Sequence, residues 1–219
     1  MISDGQRHAF NKISRLKAGA LFMETGTGKT RVALDLAASK MNKIDKIIYM
    51  HPASTAYEVE AEWKKWHPEL QIDMVTVESM SQSERIYLET RDKVIQNSCF
   101  LIVDESLKIK NVQAKRTRRI VDLGKYAKYR LVLNGTPLTK NLLDIWPQME
   151  FLSPKILDMS YRQFLYAFTE FELDKRGEFY HKKPRRIPYL VSLIQPYIVE
   201  AKLDIEPKKT FCPPDHYYM

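Results

Sequence analysis

Apolar positions in this chain fall into short blocks separated by stretches of helical spacing. "AGALFM" (18–23), "KIIYMHP" (46–52), "CFLIVDE" (99–105) and "YRLVLNGTP" (129–137) contain near-continuous apolar runs, and "DMVTVES" (73–79) alternates apolar with polar. Such runs predict strands, the continuous ones covered on both faces. Between them, "KTRVALDLAASKM" sets Val32, Ala33, Leu36 and Ala37 on one helical stripe. "STAYEVEAEWKKW" (54–66) predicts a helix capped by Ser or Thr at its start. "RTRRIVDLGKY" predicts a basic helix that ends near Gly124. Alternating strands and helices predict an α/β fold, with a mainly parallel sheet and helices on both faces. From residue 150 the pattern changes to aromatic-rich helical segments, then a basic loop "HKKPRRIP" (181–188) and a proline-containing tail, "EPKKTFCPPDHYYM".

Composition narrows the class. The chain has 219 residues, 44% hydrophobic and 28% charged, which suits one globular domain or one large lobe. The apolar runs fall far short of the roughly 20 residues a membrane helix needs, and "MISDGQRHAF" lacks the apolar region of a signal peptide. Of two cysteines, Cys99 sits beside an apolar run and reads as core, far in sequence from Cys212. That argues against a disulfide or a zinc site and for a reducing cytoplasm. The net charge is +8. It fits either a solvated basic surface or a polyanionic partner such as nucleic acid.

The densest chemistry lies in "METGTGKT" (23–30). The strict phosphate-loop pattern wants a glycine where Met23 stands. Context supplies what that pattern serves: a strand before the turn, small residues within it, and a helix after it whose N-terminus faces the phosphates. The turn residues Gly26, Thr27 and Gly28 would present backbone N–H groups. Lys29 would reach the β- and γ-phosphates, and the Thr30 hydroxyl would ligate magnesium. The strand at 99–105 ends in Asp104, which would hold magnesium through water, and Glu105, which would act as general base on the attacking water. Either feature alone could be structural, a plain turn or a solvated strand end. Together on one βα chain they point to ATP or GTP.

With those residues in place, the sequence resembles the first RecA-like lobe of superfamily-two helicases, and within them the Swi/Snf family of DNA-dependent ATPases. Gln6 looks like the glutamine that reads adenine there. "METGTGKT" looks like motif I, where a residue other than glycine at the Met23 position is normal. "HPASTAYEVEAEWKKW" is similar to motif Ia, "DESLKIKN" (104–111) to motif II, and "LNGTPLTKNLLDIWPQMEFLSP" (133–154) to motif III and its continuation. In that last block Gly135, Thr136, Pro137, Asn141, Asp144, Trp146 and Phe151 stand at the family's characteristic positions, and it points to the Swi/Snf branch. Ser106 and Leu107 depart from the family's Asp-Glu-Ala-His, which puts coupling in doubt and leaves the hydrolysis chemistry intact. Near "PYIVEAK" (196–202), Val199, Glu200 and Ala201 stand where the family often carries paired arginines.

The resemblance implies a RecA-like three-layer sandwich using ATP and Mg2+. It implies an ATP-binding lobe at 1–150, a helical extension packed on it at 151–205, and at 206–219 a linker toward a second RecA-like lobe that supplies an arginine finger. It implies a double-stranded DNA partner met by Ser54, Thr55, Ser79 and Lys110, with Thr136 coupling the nucleotide site to the DNA. Such contacts position a duplex without reading its sequence. "AKRTRR" (114–119) and "HKKPRRIP" are basic enough to touch phosphate, though a charge run is more often a wet face. Trp63, Trp66 and Trp146 are better read as packing than as base-stacking platforms. The histidines show no ligand spacing. Three functions stay open: a duplex-DNA translocase, a strand-separating DNA or RNA helicase, and a non-catalytic nucleotide- and DNA-binding module when the second lobe is missing. A monomeric cytoplasmic protein, bacterial or phage-encoded by its compact motif spacing, is the accompanying expectation.

Overall fold

The computed structural model describes residues 2–135, 142–173 and 179–201. Helix α1 (Asp4–Ile13) precedes strand β1 (Ala18–Met23), and α2 (Lys29–Ala38) leads to β2 (Lys46–His51). Then come α3 (Ala56–Trp66), β3 (Ile72–Thr76), α4 (Ser79–Gln82), α5 (Glu84–Gln96) and β4 (Cys99–Val103). Next are α6 (Lys115–Tyr126), β5 (Tyr129–Asn134), α7 (Ile145–Leu152), α8 (Pro154–Leu157) and α9 (Tyr161–Phe168). The hairpin β6 (Thr169–Leu173) and β7 (Phe179–Pro184), helix α10 (Ile187–Ile194) and β8 (Ile198–Ala201) complete the described chain.

Six strands form one sheet in the order β3-β2-β4-β5-β1-β8, every neighbouring pair parallel. Parallel strands need crossovers on the faces, and both faces are covered. Leu21, Ile47, Tyr49, Ile102 and Leu131 point to a core shared with α1, α2 and α3. Phe22, Ile48, Leu101, Val103 and Val132 point to a second core shared with α5, α6, α7 and the helices beyond. The expected three-layer α/β sandwich is what these alternating faces build. Among the described residues no helix is long and apolar enough to cross a membrane.

Several local expectations give way to tertiary structure. Gly124 does not end α6, which runs on to Tyr126. It lies inside the helix because a Cβ there would meet the Phe151 carbonyl oxygen at 2.8 Å and the Phe151 ring at 2.9 Å. Thr55 stands at the N-cap of α3 as expected but makes no capping hydrogen bond; with Ser54 it belongs to a 3-10 turn, and its hydroxyl donates to the Pro52 carbonyl at 3.1 Å. Ser79, read at a strand end, opens α4. Part of the basic loop at 181–188 is strand β7, paired antiparallel with β6. The segment after 150 is therefore not purely helical, and its last strand, β8, joins the main sheet beside β1. The tail from 202, with Cys212, lies outside the described residues, as do Thr136, Pro137 and Asn141. Cys99 is buried, and burial with Asp45 and Asp73 nearby pushes its thiol up to about 11.

One polar clip fastens α3 to α2. His67, just past α3, places Nε2 2.7 Å from Asp35 and Nδ1 2.7 Å from Glu69. Burial of the ring opposes protonation, but hydrogen bonds to Asp35 and Glu69, with their charges, outweigh it and raise the imidazole above its ordinary value. A raised folded-state value means the stabilisation is complete below the unfolded value near 6.5 and disappears as pH rises through the folded one. The same contacts lower the exposed Glu69 carboxyl, so its contribution is lost only as pH falls through the acidic carboxylate range. Urea unfolding should therefore show stability falling by about 0.5–1 kcal/mol on the alkaline side of pH 6.5. His67→Gln should flatten that slope, and an unchanged slope would remove His67 as its origin.

Candidate functional site

The site lies at the carboxyl edge of the parallel sheet, where α/β folds place ligands. Strand β1 ends at Met23 and passes into a turn whose glycines, Gly26 and Gly28, have φ of 87° and 81°. Glycine adopts this left-handed region without steric cost. A Cβ at Gly28 would also lie 2.0 Å from Gln6 Nε2. Gln6 thus sits directly on the turn and donates to the Thr27 carbonyl at 3.2 Å. Gly28 is the N-cap of α2 and brings no side-chain cap. The first-turn N–H groups, which have no intrahelical partner, face the turn as a ready anion site.

Strand β4 ends two strand spacings away, about 10 Å across the sheet, with β5 between. Long side chains bridge that gap: Lys29 Nζ and Glu105 Oε1 are 4.0 Å apart. Asp104 is buried, accepting the Glu105 N–H at Oδ1 (2.8 Å) and the Tyr49 hydroxyl at Oδ2 (3.0 Å). Burial raises its carboxyl, opposed by those hydrogen bonds and by the charges of Lys29 and His51. Glu105 has φ 46° and ψ 54°, a left-handed conformation that costs a non-glycine residue about 1–2 kcal/mol. Its side chain remains 38% exposed on the same edge as the turn. Strand β5 ends at Asn134, and a Cβ on the next residue, Gly135, would sit 3.5 Å from Thr25 Oγ1.

The donor set fits a nucleotide with magnesium. The turn offers N–H groups and one cation, and Thr30 and Asp104 offer hard oxygens. Among the described residues there is no cluster of three His, Cys, Asp or Glu that could cage a metal by itself. Magnesium needs no such cage, since it binds through one or two protein oxygens plus phosphates and water.

The residues expected at DNA stand on the same edge, at the ends of β2, β3 and β4, with different availability. Ser54 is exposed and Thr55 half-buried. Ser79 is buried and spends its hydroxyl on the Thr76 carbonyl at 2.6 Å, which corrects its reading as an available contact. Lys110 is exposed, 3.9 Å from Asp144. In "AKRTRR", Arg119 is buried; its guanidinium donates to the Met80 carbonyl at 3.0 Å, pairs with Glu84 and covers the Tyr87 ring at 4.4 Å. That arginine holds α6 to α4 and α5. The indole N–H groups of Trp63, Trp66 and Trp146 donate to the Leu70 carbonyl, Glu62 and the Met159 carbonyl.

Two contributors escaped the sequence reading. Tyr49 was one more large residue in an apolar strand. Ser106, flagged only as a departure, is fully buried and donates to Gln148 Oε1 of α7 at 2.6 Å, while Gln148 Nε2 donates to the Asp144 carbonyl at 2.9 Å. The loop after β4 is tied by this pair to the helix after β5. A serine and a glutamine matched across two otherwise apolar segments are the only sequence signal of it.

Comparison with known proteins gives the family and the fold. A family model described as the SNF2-related domain matches residues 40–217. The fission-yeast SWI/SNF chromatin-remodeling complex subunit snf22 is 29% identical over 161 residues, covering 64% of this chain and 10% of that protein. The Drosophila melanogaster helicase domino is 31% identical over 177 residues, covering 69% of this chain and 5% of that protein. The chain therefore spans a tenth or less of these relatives. Among solved structures, the Sulfolobus solfataricus SWI2/SNF2 ATPase core in complex with dsDNA aligns with a TM-score of 0.70 at 21% identity, over 92% of this chain and 44% of that one. The UvsW helicase of bacteriophage T4 aligns at 0.54 and 11%, over 69% and 57%. These likenesses identify the RecA-like fold of helicase cores. The expectation of a bacterial or phage-encoded cytoplasmic protein is overturned by the sequence relatives, which are eukaryotic and include chromatin-remodelling subunits.

Proposed function

The chain belongs to the SNF2-related domain family, and from that premise we propose that it is the ATP-binding lobe of a DNA-dependent ATPase that translocates on double-stranded DNA. The observation that carries the reading is the meeting of Lys29 and Glu105, 4.0 Å apart, at the mouth of a glycine turn with Asp104 buried beside them. A lysine, a carboxylate base and a metal-side carboxylate on one strand edge are what phosphoryl transfer to water requires.

In this reading Gln6 meets the adenine and the Gly26–Lys29 backbone cradles the β- and γ-phosphates. Lys29 neutralises their charge. Thr30 and Asp104 would hold magnesium, which when bound draws charge from the phosphate oxygens. Glu105 accepts a proton from the attacking water at its exposed carboxylate. The transition-state arginine comes from a second RecA-like lobe, whether part of the same gene product or of a partner. Such a residue contributes roughly 10³–10⁵ in rate, so the isolated lobe binds nucleotide and turns over very little. Exposed Ser54 and Lys110, with half-buried Thr55, face the duplex backbone. The Ser106–Gln148 pair and the Lys110–Asp144 contact link that face to the base. Thr136 is the further coupling residue in this scheme.

ATP hydrolysis by the complete gene product tests the reading, with duplex DNA, single-stranded DNA, RNA and no nucleic acid in parallel. Duplex DNA should stimulate most, and the stimulation should weaken as salt rises. Stimulation by single strands or RNA alone would replace the translocase with a strand-separating helicase. No stimulation by any of them would leave a nucleotide-binding module.

A further inference from the structure

Tyr49 is fully buried in the middle of β2, yet its hydroxyl reaches the carboxylate at the end of β4. It donates to Asp104 Oδ2 at 3.0 Å. Strand β2 is the direct neighbour of β4, Tyr49 pairing with Ile102 and the Asp104 N–H donating to the Met50 carbonyl at 2.7 Å. The ring points to the face covered by α2. Its hydroxyl is thereby held at the end of β4.

A buried tyrosine hydroxyl needs one partner to be satisfied, and Asp104 is that partner. The consequence falls on the carboxylate. Asp104 accepts the Glu105 N–H at Oδ1 and the Tyr49 hydroxyl at Oδ2, so the protein holds both oxygens. An ionised carboxylate has about four acceptor sites, and those left over face a direction these two bonds fix. Without the Tyr49 hydroxyl the carboxylate could turn about its Cβ–Cγ bond.

We propose that Tyr49 is a positioning residue for the divalent cation: its hydroxyl holds the Asp104 carboxylate in a fixed orientation at the mouth of the glycine turn. This rests on the nucleotide reading above. Outer groups that orient metal ligands typically change metal affinity by about 10–100-fold when removed.

Binding of a fluorescent, non-hydrolysable ATP analogue to the full chain tests this, measured in EDTA and across a magnesium titration. Tyr49→Phe keeps the ring and its packing, and Tyr49→Met removes both ring and hydroxyl; thermal unfolding is recorded for each. Both variants should raise the magnesium concentration for half-maximal enhancement about tenfold. The shift should follow loss of the hydroxyl rather than loss of melting temperature. An unshifted midpoint in Tyr49→Phe overturns the role of Tyr49 while leaving the nucleotide site standing. A shift seen only in Tyr49→Met, tracking its melting temperature, overturns it as well and makes the tyrosine a packing residue. Failure of the unsubstituted chain to bind the analogue with or without magnesium overturns both this proposal and the reading beneath it.

Discussion

Glu105→Gln in the complete protein should lower duplex-stimulated ATP hydrolysis by about 10²–10⁴, the usual contribution of a positioned general base. The substitution is nearly isosteric, and Gln can hold the left-handed backbone at this position about as well as Glu. What changes is the charge and the ability to take a proton. Lys29 then loses its ion-pair partner, 4.0 Å away, and its charge is left to the phosphates. Nucleotide affinity should accordingly stay the same or rise while turnover collapses. Steady-state rates beside equilibrium nucleotide binding separate the two. A variant that keeps more than a tenth of the rate would remove Glu105 as the base. Equal loss of binding and rate would make its role the placement of Lys29.

Phe151→Ala should be the most destabilising single change outside the site, at about 3–5 kcal/mol. The ring is fully buried in the core between α6 and α7. Gly124 exists in its present form because of that ring and its carbonyl. Gly124→Ala should therefore cost about 1–3 kcal/mol from overpacking, offset by about 1 kcal/mol of regained helix propensity. The two changes should not add. With the ring gone, the alanine methyl loses one of its two obstacles, and the double variant should be more stable than the sum of the singles implies. Urea titrations of the four proteins give the coupling directly. Additivity within about 0.5 kcal/mol would mean that Gly124 and Phe151 are not in contact.

Gly124 also illustrates what the sequence could convey. Glycine late in a basic helix carries the same local signal whether it ends the helix or admits a neighbour. Only the position of Phe151, far along the chain, decides. The strands were legible because burial on both faces leaves an uninterrupted apolar run, and the nucleotide turn because positive φ demands glycine in a fixed place. Arg119 was not legible as a structural residue, since its role lies in carbonyls of α4 and its following turn that no local pattern encodes. Strand β8 was hidden for a similar reason. "IVEA" is too short to stand out, and it becomes a strand by lying beside β1. Tyr49 was legible as core and illegible as polar, because a hydroxyl at the rim of an apolar ring shows its partners only once β2 and β4 are side by side.

That short strand has a mechanical consequence. β8 runs parallel to β1 from Ile198 opposite Ala20 to Ala201 opposite Met23. The ladder closes with the Glu24 N–H donating to the Ala201 carbonyl at 3.0 Å, while Lys12 holds the other end through the Gln195 and Ile198 carbonyls. Traction directed along the β8 axis would load these bonds together in shear instead of peeling them one at a time. The terminal bond in the row belongs to the first residue of the phosphate turn. Tension along that axis would therefore reach the glycine turn through a single backbone hydrogen bond, from the Glu24 N–H to the Ala201 carbonyl.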